Sequence, residues 1–137
     1  MAVLSFLAMY ILMYLMVDTY GNVYVNLDQL YMVVAMTAAM MLIEMVVMSS
    51  MYGQEVKMAV AGLSIIALIA SVLFIRSQVG VSDKEFLRSM IPHHGAALLM
   101  CENADLKDPE IKKLCADIIA GQQSQIDWMR AKLQALE

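Results

Sequence analysis

Apolar residues run almost unbroken through the first 75 positions of this chain, and beyond Arg76 they alternate with charged residues in a helical rhythm. Three stretches of the first part read as membrane-grade helices. Residues 2–17 are apolar but short against the roughly 20 residues that a span needs. Residues 30–50 are long enough and carry one acid, Glu44, while residues 58–75 form the cleanest span and end at Arg76. The first stretch lacks the basic leader and small-residue cleavage site of a signal peptide, and its Tyr and Met content reads as a retained helix. The pattern predicts an all-α chain: a membrane domain with three transmembrane helices over residues 1–76, a linker over 77–82 and a helical-hairpin domain over 83–137.

In the charged part, Ser82-Asp83-Lys84-Glu85 has the form of a capping box, so a helix is expected from Asp83 to about Leu106. Pro92 falls inside it and deprives the Arg88 carbonyl of its usual donor, which predicts a bend. Asp108-Pro109-Glu110 is a second start signal, with a capping Asp and Pro at the first helical position. The second helix is expected to reach about Leu136. Its apolar stripe is Ile111, Leu114/Cys115, Ile118, Ile126/Met129 and Leu133. A short connection makes the two helices antiparallel neighbours. Folding about Lys107–Asp108 sets His94 level with Gln122, Met90 with Ile126, Leu87 with Met129 and Cys101 with Cys115.

Composition sharpens this picture. The chain is 61% hydrophobic, with 15 Met and only two His, which stand side by side as His93 and His94. Imidazole and thioether together suit soft or borderline metals, copper(I) above all. Met90 lies three and four residues before the two histidines, so one helical turn brings them together. From the facing helix, Met129, Gln125 and Gln122 reach the same region. Met100 shares the face of His93 but lies further along the axis. A pocket of imidazole and thioether without an acid favours copper(I) over zinc, magnesium or calcium. The competing reading makes the methionines ordinary hairpin core and the histidines a polar edge. Cys101 and Cys115 fit a disulfide, two buried thiols or a second soft-metal site. Glu44 within a span is a functional candidate. It shares a stripe with Met36, Met40, Met48 and Met51, although methionine stripes are more often packing material.

A net charge of −4 without a basic cluster gives no reason to expect nucleic acid as a partner. No Glu-x-x-His pair, Gly-x-Ser-x-Gly elbow, Gly-rich phosphate loop or His-Glu-x-x-His helix is present, so an enzyme is not expected. Lys57 is the only Lys or Arg before Arg76. By the positive-inside rule its connection faces the cytoplasm. Three spans then place the carboxy-terminal domain in a bacterial periplasm or its equivalent, anchored in the inner membrane.

Phe86, Met90-Ile91-Pro92-His93-His94, Ala97 and Met100, followed by Ile118-Ile119, Gln122, Ile126 and Met129, resemble the family called domain of unknown function 305, also CopM-like. The resemblance covers residues 83–136. The membrane part is similar to the anchored branch of that family at Met13-Tyr14, Met16-Val17-Asp18, Tyr31-Met32, Met40, Glu44, Met48 and Met51-Tyr52. It implies a ferritin-like helical bundle with copper bound by His and Met, and so assigns Met90, His93, His94, Met100 and Met129 as ligands or near-ligands. Two departures are Gln125, where the family commonly has Glu, and Gly95, where it commonly has Gln. One hairpin is half of a four-helix bundle, so a homodimer or a larger membrane complex is expected to complete it. The reading is a membrane-anchored protein that sequesters or hands over copper(I). The alternative is a structural or accessory subunit of a membrane complex, without metal chemistry.

Overall fold

The computed structural model describes residues 1–136, and among them there are helices and turns but no strand. Five α-helices follow in order: α1 over Ala2–Met13, α2 over Leu27–Val47, α3 over Gln54–Ser77, α4 over Asp83–Asn103 and α5 over Pro109–Ala135. Short 3-10 turns occupy Tyr14–Met16 and Tyr20–Asn22. By internal contacts the chain divides into two compact units. One comprises Met1–Leu12 with Leu27–Gly80, the other Met13–Asn26 with Val81 onward.

In the first unit α2 and α3 pack against each other. Their buried positions are mostly small, with Ala35 and Ala38 on α2 and Ser64 and Ser71 on α3. Small residues let two backbones approach closely where the surroundings offer no hydrophobic drive. At one end the Tyr31 hydroxyl donates to the Val79 carbonyl at 2.9 Å, Gln78 Nε2 donates to Asp28 Oδ1 at 3.0 Å, and the Tyr31 and Phe74 rings meet edge to face. α2 and α3, of 21 and 24 residues, are long and apolar enough to cross a membrane. Of the most apolar stretch of each, only 22% is buried in α2 and 11% in α3. A core helix of a water-soluble domain would be mostly covered; these present their apolar side chains outward.

The expected third span does not form. α1 has 12 residues, or about 18 Å of rise, against a hydrocarbon core of about 30 Å. Its apolar run is cut at Met13, where the chain tightens into the first 3-10 turn and then extends at Val17. The Tyr14 hydroxyl donates to the Tyr24 carbonyl at 2.9 Å, tying the run back on itself. Residues counted toward a span thus belong to the second unit.

That second unit is a hairpin of α4 and α5 with the Met13–Asn26 segment against it. Ser82 Oγ accepts from the Glu85 N–H at 3.4 Å and starts α4. The Glu85 carboxylate pairs with Arg88 at 3.3 Å. α4 runs as one helix through the buried Pro92 and ends at Asn103, three residues before the expected end at Leu106. Asp108 Oδ1 accepts from the Glu110 and Ile111 N–H groups at 2.8 and 3.2 Å and caps α5, with Pro109 in the first turn. Leu87, Ile91, Leu98, Ile126, Met129 and Leu133 form the core. The expected α5 stripe is buried only in its second half, for Ile111 and Leu114 are exposed near the connection.

Candidate metal centre

His94 is the buried member of the histidine pair, 8% exposed on the α4 face that meets α5. Its Nδ1 lies 2.8 Å from the Met90 carbonyl oxygen one turn earlier. A carbonyl only accepts, so Nδ1 carries a proton, and the neutral ring keeps its lone pair on Nε2. Nε2 lies 2.8 Å from Gln125 Oε1 on α5. An imidazolium donates to that oxygen; with neutral imidazole the amide turns over and its nitrogen donates to Nε2. A ring orientated by a backbone carbonyl through one nitrogen is the usual state of a metal-ligating histidine, and here Gln125 holds the second nitrogen.

His94 lines a cleft of about 410 Å³ together with Phe86, Met90, Ser124, Gln125, Trp128 and Met129. Two thioethers, one imidazole and one amide therefore share a wall, and no carboxylate lines it. Among the described residues no group of three or more His, Cys, Asp or Glu side chains converges. A carboxylate-rich hard-metal site has no counterpart here, while the donor set suits a soft monovalent ion.

Other candidates stand apart from the cleft. His93 is exposed, since successive helical residues diverge by about 100°. The two rings lie 6.1 Å apart between centroids at 62°, and only His94 lines the cleft. Met100 is 64% exposed, six residues or about 9 Å beyond His94 along α4. Gln122, expected opposite His94, is half-buried and its Oε1 has no hydrogen-bond partner among the described residues. The residue opposite His94 is Gln125, three positions further on, while Cys101 and Cys115 keep the expected pairing. Those cysteines form a disulfide with 5.3 Å between Cα atoms. Neither sulfur is then available as a thiolate ligand, which removes them as a secondary metal site. Glu44 lies in the first unit, less than one turn from the end of α2, where the Tyr52 hydroxyl donates to its Oε1 at 3.2 Å. That hydrogen bond, then the carboxylate charge and partial burial, raise the Tyr52 phenol above its ordinary value.

On the opposite flank of the hairpin Gly95 is buried against the Met13–Asn26 segment. A Cβ there would meet Asp18 Oδ1 at 2.5 Å and Val17 Cγ1 at 3.2 Å. Asn22 Nδ2 donates to the same Asp18 oxygen at 2.7 Å. The departure from Gln at position 95 thus makes room for a loop. Sequence reasoning missed Trp128 and Ser124 as cleft residues. The available signal was their spacing, since Ser124 and Trp128, like Gln125 and Met129, are four residues apart.

Residues 74–137 match the family described as Domain of unknown function (DUF305). An uncharacterized protein of Acanthamoeba polyphaga mimivirus is 35% identical over 136 residues, covering 97% of this chain and 88% of the viral one. No solved structure matches the chain. With its Met-Ile-Pro-His-His turn inside the matched region and a relative alike over nearly its whole length, this chain belongs to the family of the domain of unknown function 305.

Proposed function

We propose that this protein is a membrane-anchored copper-binding protein that takes up copper(I) on His94, Met90 and Met129 for sequestration or hand-over. The observation that carries this is the setting of His94: Nδ1 is spent on the Met90 carbonyl, Nε2 is held by Gln125, and the residue lines a cleft with Met90 and Met129 and no acid. Gln125 guards that nitrogen and yields it when copper enters. His93 and Met100, outside the cleft, are accessible for transfer to another carrier. The family resemblance to copper-binding members points the same way.

α2 and α3 supply the anchor. With two spans, Lys57 marks a cytoplasmic connection and both flanking segments lie across the membrane from it. The Cys101–Cys115 disulfide fits an oxidising compartment such as a bacterial periplasm. A second reading, an accessory subunit of a membrane complex, is favoured by the exposed Met100, Ile111 and Leu114 at the connection end of the hairpin.

The test is anaerobic copper(I) titration of the full chain in detergent against a chromophoric chelator. One ion per chain is expected in the parent and in His93→Ala, with at least a tenfold weaker complex in His94→Ala. Equal affinity in the parent and His94→Ala would sink the copper reading. Co-purification of a stoichiometric partner that covers Met100 and Leu114 would favour the second.

A further inference from the structure

Trp128 is the single tryptophan of the chain and is 64% exposed, although it stands next to the buried Met129 on α5. Its flat apolar surface is spent neither on the core of Leu87, Ile91, Leu98, Ile126, Met129 and Leu133 nor on a ring contact among the described residues. Instead it lines the cleft with His94, Met90 and Met129. Phe86, one turn before Met90 and half-exposed, stands on the α4 side of the same opening.

A monovalent copper ion on one imidazole and two thioethers keeps its full positive charge, because all three donors are neutral. No carboxylate in the cleft offsets it. Such a cation is attracted to the face of an aromatic ring, and indole is the strongest of the natural faces. Trp128 and Met129 line the cleft from α5, and Met90 and His94 line it from α4. We propose that Trp128 is the lid of the copper(I) site: its indole face covers the ion bound by His94, Met90 and Met129, excluding water and a fourth ligand. This rests on the copper reading above and adds the group that selects a soft monovalent cation. A divalent ion, which keeps water or takes harder donors, gains nothing from that lid.

The experiment uses the full chain in detergent, with copper(I) added anaerobically and Trp128 emission excited at the red edge to avoid the six tyrosines. Emission should fall and saturate at one copper per chain, remain unchanged with zinc, and remain unchanged with copper(I) in His94→Ala. By chelator competition Trp128→Leu should bind copper(I) about two- to thirty-fold more weakly than the parent, with Trp128→Phe in between. Air oxidation of the bound ion should be faster in Trp128→Leu. Because the side chain is mostly exposed, these variants should keep the helical circular dichroism of the parent. If copper(I) binds through His94 but Trp128 emission does not change, or if Trp128→Leu matches the parent, the lid is overturned while the ligand set stands. If the leucine variant alters only the molecular mass in solution, Trp128 is an interface anchor and the lid is likewise overturned. No copper(I) binding by the parent would remove both proposals together.

Discussion

Two helix pairs in one chain solve the packing problem in opposite ways. α2 and α3 bury Ala35, Ala38, Ser64 and Ser71 and turn Leu63, Ile66 and Val46 outward. α4 and α5 bury Ile91, Leu98 and Ile126 and turn Asp, Glu and Lys outward. The difference teaches how to read a methionine in this chain. In the first pair an outward thioether such as Met36 is one apolar group among many. In the second, Met90 and Met129 sit where a water-facing surface dips in to reach an orientated imidazole. The same side chain is covering in one region and lines a cleft beside a buried histidine in the other.

The contrast is broken most directly at its cores. Leu98→Ala removes a side chain 1% exposed and should cost the second unit about 2–5 kcal/mol. Leu63→Ala on α3, 70% exposed, should leave the pairing of α2 and α3 nearly unchanged. Urea titrations of the full chain in detergent, followed by Trp128 emission for the second unit and helical circular dichroism for both, would separate the two. Next in size is the disulfide. Cys101→Ser with Cys115→Ser reopens a link across 14 positions and should lower the second unit's stability by about 3 kcal/mol, with no effect on the first. Reduction of the parent should reproduce it.

The smallest effect belongs to the connection between α2 and α3. Glu44 raises the Tyr52 phenol, so the folded chain holds that proton more firmly than the unfolded one. The resulting stabilisation is fully present below the ordinary value of about 10 and is lost as pH rises through the raised value. Phenolate absorbance should therefore show one tyrosine titrating late in the parent and returning to the ordinary range in Glu44→Gln. A late tyrosine that persists in Glu44→Gln would contradict this assignment.

What the amino-acid order reveals here follows the range of the interaction. Ser82 and Asp108 announce their helices because a cap is made with a residue two or three positions away. The hairpin, the Cys101–Cys115 pairing and the grouping of Met90, His94 and Met129 follow from two helices and a short connection. The partner of His94 is Gln125 instead of Gln122, because register along packed helices depends on how their side chains interlock. The family's Glu position and the departure at Gln125 already marked that residue. Trp128 carried no such mark, standing one position from a core methionine. The first span failed because Tyr14 finds its partner at Tyr24, and nothing in an apolar run tells where it will be turned aside. Least legible was the meaning of Gly95, whose reason is a loop lying far away in the chain.

That loop gives the protein a timetable. Met13–Asn26 is made first and its docking surface on α4 and α5 is made last, with residues 27–80 synthesised in between. A ribosome-bound chain therefore carries Val17, Asp18 and Asn22 without the Gly95 surface they pack against until the whole membrane-length pair has emerged. The second unit closes only after α4 and α5 have been made, by joining pieces distant in sequence, which is the slow kind of contact to form. Its cleft, lined by Met90, His94 and Met129, is complete only after the α2 and α3 segments have been made.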